Sequence, residues 1–398
     1  MGYKYKPKKI KHIKSIYRKR SSKKRTIISI AITIVIIFGV GFLGYSVAKP
    51  LFRFFEERKN KPQESSSAVW TPPETTTTTT KKEESSLPSE PSKLQLIAYS
   101  LPVEALSSEQ SLKDALAGAK AKGYASVVVS LKSDGGQINF ASTNETAKAS
   151  GSVVGVLDAK TISTIITDSQ MTAVADLSIL KDHIVPRKNT ELSYVFENAG
   201  TMWLDNAPDA GGKAWLSPFS NASKTYLSQL VDEVIKAGFT KVIASDLIFP
   251  PFRPSDLNYV GSIVKDPNRH TALTGLAQAI KAQVDTASGL TYVRVPAVDL
   301  ISGKSEVFFP AELNGISFVA DLDITQIPGS ITLKDSSQLS LKDLPMYDKV
   351  KEILTKSSAY ANPNLIVPCI VKSSASDADF NEAMRAVTDL GYKTYFIK

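Results

Sequence analysis

The sequence predicts an α/β protein whose main domain is a (β/α)8 TIM-like barrel, preceded by a single transmembrane helix and a disordered stalk. Between residues 93 and 398, eight short β-branched runs alternate with amphipathic stretches. Most of the runs are continuously hydrophobic, as expected of parallel strands that are covered on both faces. Before them stand a long apolar run and a segment rich in Pro, Ser and Thr.

The first element is a basic tail, residues 1–25, which contains twelve Lys or Arg and no Asp or Glu. Residues 26–48 form an apolar run long enough to cross a hydrocarbon core of roughly 30 Å as a helix. The flank that follows, residues 49–61, mixes five basic residues with Glu56 and Glu57. By the positive-inside rule the tail stays in the cytoplasm and the remainder lies outside. We therefore expect a single-pass protein of the cell membrane with an extracellular C-terminal domain.

A cleaved signal peptide is the alternative reading of the apolar run. The apolar region of a signal peptide spans about 7–15 residues and is followed by small residues at the cleavage site. Here the run is longer, and the bulky segment PLFRFF, residues 50–55, comes after it. These features favour a retained signal-anchor. A buried core helix is disfavoured because the run is apolar on all faces and carries no charge.

The second element, residues 49–92, is a juxtamembrane segment and linker rich in Pro, Ser, Thr, Glu and Lys, with six consecutive threonines at 75–80. Such a segment buries too little apolar surface to offset its ordering entropy, so we expect a disordered stalk. Its role would be to hold the next domain away from the bilayer.

Composition narrows the partners and cofactors of the outer part. Removing the twelve cations of the tail from the formal net charge of +9 leaves −3 for the rest, so no nucleic-acid partner is expected. The lone Cys369 cannot form an intramolecular disulfide, and its apolar surroundings predict a buried strand residue. No His or Cys cluster has metal-ligand spacing, and no glycine-rich fingerprint follows the first strand. We expect neither a metal nor another cofactor.

The third element, residues 93–398, is long enough for one large domain. Four of its helical patterns end in a glycine followed by an apolar residue, at Gly123, Gly238, Gly289 and Gly391, as expected of helix-to-strand junctions. Eight strands with helices between them favour a closed barrel, and an open doubly wound sheet is the alternative. The predicted strands are 94–101, 125–131, 171–177, 241–249, 290–298, 315–322, 364–371 and 393–398.

In such a barrel the functional site lies at the carboxyl ends of the strands. Aspartates predominate there, and no GxSxG or HExxH motif is present. The polar residues at these positions are Lys132 and Asp134, then Asp176, Asp182, His183 and Arg187, then Asp246, then Arg294 and Asp299, then Asp321 and Asp323, and finally Lys372.

A long loop after the third strand carries two of the three tryptophans in the chain, Trp203 and Trp215, with Asp205 nearby. Long loops in compact domains are usually functional or disordered, and tryptophan argues against disorder. Aromatic faces beside carboxylates suit stacking on a sugar ring and hydrogen bonding to its hydroxyl groups. The alternative is that both rings close the barrel mouth or cover a helix.

The order of motifs resembles the glycoside hydrolase-like barrel domain of bacterial envelope proteins, a family remotely similar to α-amylase-type barrels. The likeness lies in VVVSLKSDGGQINFAS, in ADLSILKDHIVPRKN and in the tryptophan segment through FTKVIASDLIFPPF, and covers roughly residues 94–252. Matched by position are Lys132, Asp134, the pair Lys181-Asp182, the motif at Trp215, and Asp246.

The resemblance implies hydrolysis of glycosidic bonds, for which two carboxyl groups must flank the scissile bond. Asp246 matches the strand-four aspartate of the family and is the candidate nucleophile. Further catalytic candidates are Asp182, in the matched pair after strand three, and Asp299, which follows strand five where α-amylase-type barrels carry a glutamate. The acid stays open, because Asp205, Glu306 and Asp321 compete for that role. Substrate contacts are expected from Lys132, Asp134, Asp176, Arg187, Trp203, Asp205, Trp215 and Arg253.

Three departures from the family pattern keep alternatives open. Ser130 replaces an aspartate on strand two, Thr240 replaces one before strand four, and Leu247 begins a segment that lacks the family's Tyr-x-Arg. The anchor and the matched motifs together still lead us to expect a membrane-anchored glycoside hydrolase acting on envelope or extracellular polysaccharide. The alternatives are a catalytically inactive barrel that binds wall glycan, and an envelope scaffold. For Asp246 itself, the alternative is a structural aspartate that caps the loop FPPFRPSD.

Overall fold

The computed structural model describes residues 96–265, 268–302, 313, 315–361 and 365–398. Within them eight parallel strands close into a barrel, each beside its neighbour in the chain, and the last pairs with the first. These strands are β1 (Ile97–Ser100), β2 (Ser126–Lys132), β3 (Thr172–Ser178), β4 (Lys241–Ser245), β5 (Leu290–Pro296), β6 (Ser317–Asp323), β9 (Ile366–Val371) and β10 (Tyr395–Ile397). Strands β7 (Ser330–Thr332) and β8 (Gln338–Ser340) form a separate antiparallel pair.

Each of the eight predicted strands corresponds to one strand of the barrel, and its closure rules out the open sheet. Most of the predicted strands run beyond the observed bounds, and at the carboxyl ends the largest differences are at β4 and β5. Strand β4 ends at Ser245, because Asp246 adopts a left-handed backbone with φ of 50° that interrupts the pleat. Strand β5 ends at Pro296, and a helix starts at the next residue.

Helices connect the strands and form the outer layer. Several begin at a Ser, Asn or Asp whose side chain accepts a hydrogen bond from the first turn, the usual N-terminal cap. The helices are α1 (Glu109–Ala121), α2 (Glu145–Ser150), α3 (Ala159–Asp168), α4 (Val185–Lys188), α5 (Asn221–Lys236), α6 (Asp256–Tyr259), α7 (Asn268–Asp285), α8 (Ala297–Ser302), α9 (Met346–Tyr360) and α10 (Asp377–Asp389).

Three of the four predicted glycine junctions take the expected left-handed conformation, at Gly123, Gly238 and Gly391. At the fourth, Ser288 adopts that conformation with φ of 53°, and Gly289 does not. Glycine is needed at 289 for space, because a Cβ there would lie 2.5 Å from the carbonyl oxygen of Thr240.

Two apolar clusters build the core. The larger lies between the barrel wall and the helices. The smaller fills the barrel interior with alternate residues of the strands: Leu96, Ala98, Val128, Val174, Ile243, Tyr292, Val319, Val367, Cys369 and Phe396. Cys369 is buried on a strand, as predicted.

The predicted membrane-spanning run, residues 26–48, lies outside the described residues, as do the basic tail and the whole of the stalk, residues 49–92. In the part of the chain that the structure describes, every helix is too short or too polar to span a bilayer.

Candidate active site

A polar layer caps the apolar interior of the barrel at the carboxyl ends of the strands. Side chains on one face of a strand recur every two residues. Two residues beyond the interior positions Val128, Val174, Ile243, Tyr292 and Val319 stand polar residues on five successive strands: Ser130, Asp176, Ser245, Arg294 and Asp321. The change from apolar to polar within each strand therefore places the charged groups inside the barrel mouth.

These side chains line a cavity of about 580 Å³. Four aspartates face it, from the ends of four strands or the loops that follow: Asp134, Asp176, Asp246 and Asp321. Lys132, Arg294 and Lys398 line it as well. The volume falls within the usual range for small-molecule sites. Carboxylates from different strands are thus gathered at the end of the barrel where TIM-barrel enzymes carry their active sites.

Arg294 links two of these aspartates. Its Nη1 lies 3.2 Å from Oδ2 of Asp176, and its Nε lies 3.7 Å from Oδ1 of Asp321. Ser245 donates a further hydrogen bond to Asp176. Burial works against the guanidinium charge, but Asp176 and Asp321 outweigh it, so the pKa of Arg294 is raised. Arg294 therefore stays charged and holds Asp176 in an ion pair on the cavity floor.

Asp321 differs from Asp176 because only one long contact reaches it from Arg294. Burial raises the pKa of this carboxyl above its ordinary value, and the opposing effect of Arg294 does not cancel the shift. Its register partner on the next strand is Cys369, whose thiol pKa is raised well above its usual value by burial. Asp321 is thus more readily protonated than an aspartate on the protein surface.

Asp246 stands at the tip of β4 in a strained backbone conformation. Its φ of 50° is uncommon for residues other than glycine, and aspartate is among the few that tolerate it. Ser178 Oγ donates a hydrogen bond of 2.8 Å to its Oδ2. The backbone amide of Leu180 donates to its carbonyl oxygen at 3.2 Å. The loop after β3 therefore fixes both the side chain and the backbone of Asp246.

Asp182, a predicted catalytic residue, is fully buried and does not line the cavity. Its Oδ2 lies 3.1 Å from Nζ of Lys132, whose side chain is also buried. Its Oδ1 accepts hydrogen bonds of 3.0 Å from the amides of Ile184 and Val185. The structure therefore gives Asp182 the geometry of an anchor for the loop after β3, without the access to solvent that catalysis needs.

Asp134 and Lys181 form a more exposed pair at the cavity rim, with Nζ and Oδ2 2.9 Å apart. The hydrogen bond from Lys181 lowers the pKa of Asp134, against the effect of burial. The contribution of this pair to stability is present above the ordinary aspartate pKa and is lost as the pH falls through the lowered value. Because Asp134 is largely exposed, that contribution is small.

Gly136 lies against the buried anchor, and Gly136→Ala should destabilise the fold by about 2 kcal/mol or more. A Cβ at this position would stand 2.3 Å from Oδ1 of Asp182, and its backbone φ of 95° already disfavours alanine. Gly135→Ala is the matched control, since no atom lies within 4 Å of its added Cβ. Urea unfolding of both variants tests this prediction. Equal urea midpoints for the two variants would contradict the prediction, since they would show that Asp182 can move away from the added methyl group without loss of stability.

The two tryptophans do not offer faces to a sugar, which corrects the prediction of stacking. Trp203 is 1% exposed and Trp215 is 5% exposed. Both belong to an aromatic cluster with Tyr194, in which Trp203 lies 4.7 Å from Phe252 between ring centroids. The alternative reading applies: in this long, ordered loop the rings pack against the protein, where their apolar surface is removed from water.

Four other predicted site residues also lie away from the cavity lining. Asp205 accepts hydrogen bonds from Trp215 Nε1 at 2.9 Å and from the amide of Lys213 at 2.7 Å. Arg187 is exposed on α4, and Asp299 lies on α8. Arg253 bonds to Asp256. Of the predicted set, the structure brings Lys132, Asp134, Asp176 and Asp246 together at the cavity.

Arg294 and Asp321 are central to the cavity, although the sequence offered Asp321 only as one of several candidates for the acid and gave Arg294 no role. Both were recognised as strand-end polar groups in the sequence. Their inward direction could have been read from the interior positions Tyr292 and Val319, two residues earlier. What the sequence alone could not give is the distance between strands β3, β5 and β6, which closure of the barrel sets.

A second hollow, of about 770 Å³, lies outside the barrel between α5 and α7 and has no carboxylate in its lining. In the described part of the chain, no three His, Cys, Asp or Glu side chains are grouped to hold a metal ion. The strand-end cavity is therefore the candidate active site.

Comparison with solved structures gives remote likenesses. A hypothetical protein from Ruminiclostridium thermocellum is 20% identical over 47% of this chain and 92% of its own, with a TM-score of 0.38. The catalytic domain of β-amylase from Paenibacillus polymyxa is 11% identical over 76% and 92%, with a TM-score of 0.48. D-allulose 3-epimerase from Methylomonas sp. is 11% identical over 76% and 84%, with a TM-score of 0.41. At these values the likenesses carry no argument about function.

The family comparison is more specific. No curated protein matches the sequence. Residues 99–289, from β1 to the residue before β5, match the model of the family described as "Putative glycosyl hydrolase domain". This range contains Lys132, Asp134, Asp176 and Asp246, while Arg294 and Asp321 lie beyond it. Residues 99–289 are thus similar to the glycosyl hydrolase-like family that the sequence motifs resemble.

Proposed function

We propose that the protein is a membrane-anchored glycoside hydrolase that acts on cell-envelope or extracellular polysaccharide. The observation that carries this proposal is the gathering of four aspartates, from different strands, around one cavity at the carboxyl end of the barrel. The family match over residues 99–289 supports the same chemistry. The apolar run at 26–48 and its basic flank support the membrane location.

Two of the four aspartates suit the two roles that glycoside hydrolysis needs. Asp321 is the acid: its carboxyl gives a proton to the glycosidic oxygen as the bond to the anomeric carbon breaks. Asp246 supplies the carboxylate that stabilises the positive charge developing on the sugar. Water then forms the new bond to the anomeric carbon and returns a proton to Asp321. The other two aspartates form ion pairs within the chain, Asp176 with Arg294 and Asp134 with Lys181. The assignment follows the rule that differing environments separate the acid from the base.

Asp321→Asn should lower kcat/KM by about 10²–10⁴-fold, because the amide cannot donate the acid's proton. In the parent enzyme, kcat/KM should fall as the pH rises through the raised pKa of Asp321, above the range of an ordinary aspartate. That alkaline limb should be missing from the variant. Asp323→Asn, on the same strand but outside the cavity lining, should keep the parental pH profile. An unchanged alkaline limb in Asp321→Asn would remove Asp321 from the role of acid.

A catalytically inactive barrel that binds glycan is the second candidate. One observation favours it: Asp134 and Asp176 already have cationic partners within the chain, which suits binding better than turnover. The departures at Ser130, Thr240 and Leu247 point the same way.

Hydrolysis and binding of a panel of envelope and storage polysaccharides by the full-length protein in mild detergent would test both candidates. Release of reducing ends supports the hydrolase. Binding without release supports the inactive barrel. If the protein neither releases reducing ends nor binds any glycan of the panel, both candidates are contradicted and an envelope scaffold is favoured.

A further inference from the structure

The family-matched lysine and aspartate, Lys132 and Asp182, form a buried pair that connects to Asp246. Their Nζ and Oδ2 atoms are 3.1 Å apart, and both side chains are shielded from solvent. Tyr226 adds a long contact of 3.4 Å from its hydroxyl to the same carboxylate. Neither member of the pair is free to leave its partner, because a lone charge in this position would be costly.

Lys132 also reaches the end of β3. Its Nζ donates a hydrogen bond of 2.7 Å to the backbone carbonyl of Ser178. This contact holds the strand at the residue whose hydroxyl faces Asp246. A cation, rather than a neutral donor, suits the position because it serves the carboxylate of Asp182 and the carbonyl of Ser178 at once.

Ser178 completes the connection. Its single hydroxyl proton has two possible acceptors, Oδ2 of Asp246 at 2.8 Å and the carbonyl of Lys181 at 3.5 Å. The shorter contact is the stronger hydrogen bond, so the proton is directed at Asp246. The backbone of Asp246 is strained, and a strained residue persists only where its surroundings fix it. The hydrogen bond from Ser178 is one of the contacts that fix this residue.

We infer that the buried Lys132–Asp182 pair and Ser178 together position the Asp246 carboxylate in the cavity. Lys132 and Asp182 are then positioning residues, and neither needs to touch substrate. The inference rests on the proposed function for its activity readout, while the contact itself can be tested without turnover.

The activity test compares Ser178→Ala with Ser142→Ala in the full-length protein. Ser142 is the matched control, because it too is a buried serine that donates to a carboxylate, that of Glu233, away from the cavity. On a polysaccharide that the parent cleaves, Ser178→Ala should lower kcat about tenfold to a hundredfold and leave KM within about twofold. Ser142→Ala should keep both constants. A parental kcat in Ser178→Ala would overturn the inference.

Replacing both Lys132 and Asp182 by neutral side chains tests whether the buried pair helps to position Asp246. The double variant Lys132→Met with Asp182→Asn leaves no lone buried charge and keeps an acceptor for the loop amides. It should lose kcat to a similar extent as Ser178→Ala, and adding Ser178→Ala to it should cause little further loss. A folded double variant with parental kcat would show that the pair does not position Asp246.

Thermal unfolding supplies the readout that is independent of turnover. Asp246→Gly removes the carboxylate and tolerates the left-handed backbone. The double variant with Ser178→Ala should lower Tm by less than the sum of the two single shifts, because both changes remove the same hydrogen bond. The combination of Asp246→Gly with Ser142→Ala should be additive. If the parent cleaves no glycan but the Tm shifts of Asp246→Gly and Ser178→Ala are not additive, the proposed function fails while the contact between these residues is supported. Additivity in both pairs would overturn the contact.

Discussion

Asp246→Asn is expected to lower the turnover of the polysaccharide substrate by about a thousandfold or more, the range seen when a group that acts on the reacting atoms is removed. The change is close to isosteric, and asparagine tolerates the left-handed backbone at this position. The fold and the hydrogen bond from Ser178 should therefore persist, so the loss would come from the missing negative charge. Reducing-end release by parent and variant at equal protein concentration measures the effect.

The matched control for this change is Asp158→Asn. Asp158 caps α3 by accepting a hydrogen bond of 2.8 Å from the amide of Thr161, and asparagine is an equally good cap. This variant should turn over substrate at the parental rate. If Asp246→Asn retains parental turnover as well, the carboxylate at the tip of β4 does not act on substrate, and the hydrolase scheme loses its central residue.

Lys132→Met is expected to destabilise the protein by about 3–5 kcal/mol, the cost of leaving one charge of a buried pair unpaired. The side chains of Lys132 and Asp182 are 1% and 0% exposed, so water cannot take the place of the lost ammonium group. Chemical denaturation of the full-length protein, followed by tryptophan fluorescence, measures the change because Trp203 and Trp215 are buried in the barrel domain.

Removing the second charge should reverse most of this loss. The double variant with Asp182→Asn has no unpaired charge and should regain stability relative to Lys132→Met. Lys113→Met is the control for the loss of an ion pair as such, because Lys113 and Glu109 form an exposed pair on α1 that should contribute little. A loss in Lys132→Met no larger than in this control would contradict the view that the buried pair anchors the loop after β3.

The strand pattern was the most predictable part of this protein. Parallel strands covered on both faces must be continuously apolar, so the local sequence identifies them, and all eight form the barrel. Boundaries were less predictable where a polar residue follows the strand. Asp246 ends β4 through its backbone conformation, which depends on contacts from the loop after β3 rather than on its own neighbours in sequence.

The tryptophan loop shows where local reasoning fails. Trp203, Trp215 and Asp205 have the chemistry of a sugar-binding surface, but the structure buries both rings and directs Asp205 to the indole nitrogen of Trp215. Burial of a large aromatic side chain is favoured whenever partners are available, and the partner Phe252 comes from a different loop. No pattern within the tryptophan loop could show that this partner would be present.

The barrel, the aspartates at its strand ends and the family similarity of residues 99–289 can all be read from the sequence, because each depends on short-range pattern or motif order. The surroundings of those aspartates cannot be read from the sequence and come from the folded structure. It buried Asp182 against Lys132, committed Asp176 to Arg294 and left Asp246 and Asp321 as the carboxyl groups proposed for chemistry. The reason is physical: the environment that sets the charge and access of a carboxyl group comes from side chains distant in sequence, and closure of the barrel brings them together.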